Sequence, residues 1–294
     1  MWLGKLKSPF KKRGKIRSFI SQHRWHPPLM GAPGTDAAEA PVIVVDQFTA
    51  RFGANTVFDR VSFQVNQGEI LVILGGSGCG KSTMLKHMIG LYKPATGRVL
   101  INGVNINTDN DRILRRVRMD LGVLFQSGAL FGSMTLAENV ALPLQEYTDL
   151  DLATIDLIVR MKLGLVNLAG YENHLPSEIS GGMQKRAGLA RAMALDPTVL
   201  FFDEPSAGLD PITSVELDNL IKSINAGMGT TMVIVTHELE SILNIAHRVI
   251  MLDKSARGII AEGDPRELKD HSDDPRVVNF FNRRPAAGAA PRGT

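Results

Sequence analysis

The chain has one cysteine, no long hydrophobic run and no acidic residue before Asp36, and each absence excludes something. The lone thiol, Cys79, permits no intrachain disulfide, so a reducing compartment is expected. No stretch approaches the ~18 consecutive apolar residues of a membrane-spanning helix. Near-zero mean hydropathy instead suits a soluble globular body. At 294 residues the chain can form one large domain or two modest ones, with ample core. The missing acids leave Lys5, Lys7, Lys11, Lys12, Arg13, Lys15, Arg17 and Arg24 unopposed. Without these eight charges the net +3 becomes −5, so the basic character belongs to a tail and nucleic-acid binding by the body is not indicated.

That tail also carries Trp2, Leu3, Leu6, Phe10, Ile16, Phe19 and Ile20. Basic residues with apolar anchors suit an anionic membrane surface. A solvated tail and an organelle transit peptide are the alternatives, and the uninterrupted apolar core of a secretory signal is missing. Residues 27–41 read as a Pro/Gly/Ala-rich linker, residues 285–294 as a low-complexity end.

What is present centres on residues 70–83. Ile70, Leu71, Val72, Ile73 and Leu74 make a continuous apolar run of the kind buried on both faces of a parallel sheet. Gly75, Gly76, Ser77, Gly78, Cys79, Gly80, Lys81 and Ser82 then fit G-x-x-x-x-G-K-[ST], and Met84, Leu85, Met88 and Ile89 recur at helical spacing up to Gly90. In this order, backbone N–H groups and a helix N-terminus face one anion. Lys81 would reach the β- and γ-phosphates of a nucleotide and the Ser82 hydroxyl would ligate Mg²⁺. Cys79 lies inside the loop, either as a thiol whose modification blocks nucleotide or as a small residue fitting a tight turn.

Around this centre, residues 42–46, 57–65, 99–102 and 104–106 read as strands, with Phe52 before a turn at Gly53. Leu152, Ile155 and Val159 recur helically behind Asp149 or Asp151 as cap. Ser180, Gly181, Gly182 and Met183 precede a helical run bearing Lys185, Arg186 and Arg191. Residues 199–202 form a strand ending in Asp203 and Glu204, and Asp210-Pro211 starts a helix with Leu217, Leu220, Ile221 and Ile224 on one face. Residues 232–235 lead to His237, and 249–252 and 258–261 close the pattern. Strands alternating with helices call for an α/β fold with a mostly parallel sheet and a ligand at the strands' carboxyl ends, which Gly75, Asp203 and His237 follow. Asp203 there can hold Mg²⁺, and Glu204 suits a base for an attacking water, unless the two acids only cap the next helix. Gln126, after 122–125, could meet metal and water, and His237 could hydrogen-bond a γ-phosphate.

These motifs, in this order and spacing, resemble an ABC-type ATPase over about residues 42–270. The resemblance implies a RecA-like P-loop core with an antiparallel β-subdomain, and a helical subdomain inserted near 127–195. It also implies a homodimer clasping two ATP between each phosphate loop and the partner's Ser180, Gly181 and Gly182. Phe52 becomes the adenine-stacking residue, Thr83 an α-phosphate contact, and Asp210 the end of a loop facing the nucleotide. Met183 departs from the usual glutamine, and Gly208 from the usual alanine. Residues 125–131, 180–183, 210–212 and 274–281 more narrowly resemble the ATPases of Mla/MCE-type phospholipid transporters. That implies two membrane permease subunits, an MCE-domain lipid carrier reached through them, and a peripheral position on the cytoplasmic face of the inner membrane. Residues 271–294 would form a C-terminal extension, with Phe280, Phe281, Asn282, Arg283 and Arg284 docking on the neighbouring subunit. The competing expectations are an importer ATPase for amino acids or another small solute, a DNA-repair ATPase and a non-hydrolysing scaffold. The Ser-Gly-Ala-Leu-Phe run after Gln126 speaks against the importer. A DNA-repair ATPase is disfavoured because no sustained heptads lie between Lys81 and Ser180, and a scaffold because Glu204 is intact.

Overall fold

The computed structural model describes residues 41–283. The basic tail, most of the linker, Arg284 and the low-complexity end lie outside them. Strand β1 (Ile43–Phe52) turns at Gly53 into β2 (Asn55–Val65), with Phe52 opposite Asn55. After β3 (Ile70–Gly75) and α1 (Lys81–Met88), β4 (Thr96–Ile101) and β5 (Val104–Asn105) complete an antiparallel sheet of order β2-β1-β4-β5. Helix α2 (Asp111–Met119), capped by Asn110, leads into β6 (Leu121–Leu124).

Three helices follow: α3 (Leu136–Tyr147), α4 (Leu152–Leu165) and α5 (Gly181–Ala192). Their starts are set by side-chain caps: Thr135 with Glu138 in a capping box, Asp151, and Ser180. Then come β7 (Val199–Asp203), α6 (Pro211–Met228), β8 (Thr231–Val235), α7 (Leu239–Ile245), β9 (Arg248–Asp253), β10 (Gly258–Gly263), α8 (Pro265–His271) and α9 (Pro275–Phe281).

The second sheet has the order β10-β9-β3-β8-β7-β6 and is parallel except for β10. Its alternation divides the core in two. Ile70, Val72, Leu74, Leu200, Phe202, Met232 and Ile234 face a cluster shared with α3 to α7. Leu71, Ile73, Val199, Phe201, Val233 and Val235 face a second cluster that includes Phe48, Phe58 and Val65 of the antiparallel sheet. Each such side chain contributes about 1.5–3 kcal/mol by leaving water, so the central strands are clamped from both faces. Pairing brings Gly75 opposite Leu252 and Asp203 opposite Val235, which aligns the carboxyl ends of adjacent strands.

The carboxyl-terminal segment differs from expectation. Val277 and Phe281 of α9 are buried in the helical-side cluster, so residues 271–283 belong to the body. Phe281 is taken up by this chain's own core and is not available to dock elsewhere, while Arg283 pairs with Glu240 at 3.2 Å.

Candidate functional site

Where β3 ends, the backbone takes a path that only glycine permits at two points. At Gly75 (φ 146°) a Cβ would lie 2.3 Å from the Leu252 carbonyl oxygen. At Gly80 (φ 105°) it would lie 2.6 Å from the Phe58 ring. Helix α1 begins at Lys81 with no side-chain cap, so its first N–H groups are free for an anion. Lys81 Nζ donates to the Gly75 carbonyl at 3.0 Å, folded back over the loop between Gly75 and Thr83. The Cys79 Sγ is buried under Gly75, and burial raises its pKa, with the Lys81 charge opposing. A buried, protonated thiol matches the small-residue reading of Cys79.

Ser82 Oγ donates to Asp203 Oδ1 at 2.9 Å, joining the start of α1 to the end of β7. This hydroxyl and carboxylate are hard oxygen donors of the kind Mg²⁺ takes alongside substrate phosphates. Among the described residues no cluster of three or more His, Cys, Asp or Glu could hold a metal alone. A nucleotide-dependent Mg²⁺ site therefore fits these residues and a self-sufficient metal centre does not.

Glu204 turns away from the line of β7 because its backbone is left-handed (φ 49°), a cost of about 1–2 kcal/mol for a residue with a Cβ. Its N–H donates to the Val235 carbonyl at 2.8 Å. Its carboxylate meets His237 Nδ1, with both oxygens at 2.9 Å. The carboxylate is 13 % exposed and the imidazole 61 %, so the acid is set back and the ring stands at the mouth. Gln126 lies two residues beyond the pairing of Leu124 with Phe202, level with Glu204 on the same sheet edge, and its side chain is exposed. Below His237 a cavity of about 670 Å³ is lined by Leu209, Asp218, Glu238, Phe280 and Arg283 among others.

Phase and register thus bring Gly75, Gly76, Ser77, Gly78, Gly80, Lys81, Ser82, Asp203, Glu204, Gln126 and His237 to one sheet edge. The other candidates lie at separate positions. Phe52, 47 % exposed at the end of β1, stands edge-on to Tyr92 (5.7 Å) and His87 (6.3 Å). Ser180 caps α5, its Oγ accepting from Met183 N at 3.2 Å, while the Met183 side chain packs on the core. Gly181 is exposed, and a Cβ on Gly182 would meet Thr213 at 2.4 Å, so α5 starts tightly against the start of α6. Asp210 caps α6, and the Thr213 hydroxyl and backbone hold its carboxyl below the usual range. Among the described residues no hydrogen bond links Ser180, Gly181 or Gly182 to the phosphate loop. Two residues noted only as helix cations turn out to reach the site's backbone: Lys185 Nζ donates to the Gln126 carbonyl, and Arg191 donates to Ala129 O (2.7 Å) and Gly128 O (3.1 Å). Position on a helix gives no sign of such partners.

A phosphate loop between a central parallel strand and its helix, with a hydroxyl–carboxylate pair and a recessed acid beside it, defines a P-loop nucleotide-hydrolysing cassette. The family model for ABC transporters matches residues 58–207, and the chain belongs to that family. Its fold is the ABC ATPase fold, and it is an ATPase that binds nucleotide. The chain is 42% identical over 268 residues to a protein from Mycobacterium tuberculosis H37Rv named probable ribonucleotide transport ATP-binding protein mkl, covering 91% of this chain and 73% of that one. It is 43% identical over 231 residues to the intermembrane phospholipid transport system ATP-binding protein MlaF of Escherichia coli K12, covering 78% and 84% respectively. Among solved structures, the dimeric ATP-binding cassette MJ0796 bound to ADP and Pi in a post-hydrolysis state superposes with a TM-score of 0.68 at 31% identity, covering 76% of this chain and 98% of that one.

Proposed function

We propose that this chain is the motor of an Mla/MCE-type ABC transporter, hydrolysing ATP to move phospholipid between membranes. The likeness to MlaF over 231 residues carries the choice of cargo. The mkl name supports a second reading, transport of a ribonucleotide. Two copies pair head to tail; the similar MJ0796 cassette has a dimeric structure, which supports pairing. Each copy lends Ser180, Gly181 and Gly182, at the exposed start of α5, to the γ-phosphate held by the other's phosphate loop. The dimer sits beneath two permease subunits on the cytoplasmic face of the inner membrane, and the permease connects to an MCE-domain lipid carrier. The basic amino-terminal tail contacts the membrane surface.

Within each site Phe52 stacks on adenine, Thr83 meets the α-phosphate, and Asp210 faces the nucleotide from its loop. Lys81 leaves the Gly75 carbonyl for the β- and γ-phosphates. Ser82, Asp203 and Gln126 would hold Mg²⁺, which neutralises phosphate charge when bound. Glu204 accepts a proton from water as its oxygen attacks the γ-phosphorus and the bond to the β–γ bridging oxygen breaks. His237, bonded to the Glu204 carboxylate, donates to the γ-phosphate in this reading. Loss of that phosphate removes the bridge to the partner's Ser180, Gly181 and Gly182, and the dimer opens.

The experiment is purification of the tagged chain from its native membranes. A multispanning permease and an MCE protein should come with it, and reconstituted into vesicles the complex should move labelled phospholipid on ATP addition. Co-purification with a permease lacking an MCE partner, and ATPase stimulation by ribonucleotide, would select the second reading.

A further inference from the structure

The cations of α5 converge on the loop that follows β6. Lys185 is 6 % exposed, its Nζ donates to the Gln126 carbonyl oxygen, and the Glu204 carbonyl oxygen lies 3.5 Å away. Arg191 holds the carbonyls of Gly128 and Ala129 from the same helix. Gly188, between these cations, lets the two backbones touch: a Cβ there would lie 2.9 Å from the Gly128 carbonyl oxygen. The loop from Gln126 to Ala129 is thereby fastened to α5 at three places.

A buried ammonium is an expensive way to fill space. Burial lowers the Lys185 pKa, while the charges of Glu238, Asp203 and Glu204 pull it back up. An apolar side chain of similar volume would pack there at lower cost. What lysine supplies instead is a donor between two carbonyls: that of Gln126, and that of Glu204, which also accepts from the Ala207 N–H at 3.2 Å. One of those carbonyls belongs to Glu204, whose left-handed backbone is held at its other end by the Val235 carbonyl.

We propose that Lys185 is a positioning residue for ATP hydrolysis, tying the helix that begins at Ser180 to the backbones of Gln126 and Glu204 together. It lies about one and a half turns into α5, so a phosphate seated at the start of that helix displaces both backbones through a single side chain. This coupling deepens the function proposed above and rests on its assignment of Glu204 and Gln126.

The test uses the full chain and the variants Lys185→Met, Lys185→Arg and Glu204→Gln. It measures ATP turnover, equilibrium binding of a fluorescent ATP analogue, and hydrogen exchange at the amides of residues 127–129 with and without ATP. Lys185→Met should keep nucleotide affinity within about twofold yet lose about ten- to a hundredfold in kcat, since small misplacements of reacting groups cost that much. Lys185→Arg should restore most of the rate. Added ATP should slow exchange at 127–129 in the parent and not in Lys185→Met. Parental kcat and exchange response in Lys185→Met would overturn the proposal, as would a rate loss that arginine leaves unrepaired while the exchange response persists. If Glu204→Gln turns over like the parent, the assignment of the base fails instead, and the exchange comparison still decides Lys185. If Lys185→Met does not fold, Lys185→Gln takes its place in the same comparison.

Discussion

Glu204 should show a conflict between stability and activity that two substitutions separate. Its left-handed backbone (φ 49°) costs about 1–2 kcal/mol in any residue with a Cβ. Glycine removes that cost but returns about 0.5–1 kcal/mol as unfolded-chain entropy. The bond to His237, whose ring is 61 % exposed, is worth well under about 1 kcal/mol. Glu204→Gly should therefore be as stable as the parent or up to about 1 kcal/mol more so, a rise in Tm of at most about 3 °C in a body of this size. Glu204→Gln keeps the strain and the shape, so its Tm should stay within about 1 °C of the parent. Both lose the proton acceptor and should turn over about 10²- to 10⁴-fold more slowly. Calorimetry of the nucleotide-free chain gives the Tm, and phosphate release gives the rate. A Glu204→Gly variant several degrees less stable would refute the strain argument, and parental turnover in Glu204→Gln would remove Glu204 as the base.

Gly75→Ala should destabilise by more than about 3 kcal/mol, because overpacking falls on a backbone atom that cannot rotate away; the Cβ would lie 2.3 Å from the Leu252 carbonyl oxygen, and the urea midpoint measures the loss. Cys79 should react with a maleimide far more slowly in the folded chain than in urea, because burial both covers the thiol and raises its pKa. His87, buried against Phe48 and hydrogen-bonded to the Thr83 carbonyl at 2.8 Å, has a pKa lowered by burial from 6.5. Below that value the unfolded chain takes up more protons than the folded one, so this residue's share of stability is full above about pH 7 and falls as pH drops. His87→Leu should flatten that decline between pH 7 and 5, as read from denaturation midpoints across the range.

The phosphate loop was legible because its chemistry resides in the backbone, and a backbone path of this kind demands glycines at fixed spacing. The runs that became β3, β7 and β8 were legible because strands covered on both faces have no polar positions to confuse the pattern. Asp210-Pro211 marked the start of α6 through cap chemistry alone, and Asp151 proved to be the cap of α4 from the two candidates offered. Helix α3 was hidden by Pro143 and the buried Asn139, whose side chain serves loop carbonyls; the capping box of Thr135 and Glu138 was the signal available. The arginine-rich α2 has one buried residue, Val117, and its signals were the spacing of Ile113, Leu114 and Val117 behind the Asn110 cap. Other features were illegible in principle. The left-handed turn at Glu204, the reach of Lys185 and Arg191, and the insertion of Phe281 into the core all depend on neighbours far away in sequence.

The burial of Phe281 also fixes what stands beside it. The last described residue, Arg283, lines the same cavity as His237, with Phe280 between the helices that frame it. A dye on a cysteine placed at Arg283 would sit in the cavity wall shared with the imidazole, apart from the phosphate loop. A bulky label in the same place would crowd His237, the histidine bonded to the Glu204 carboxylate.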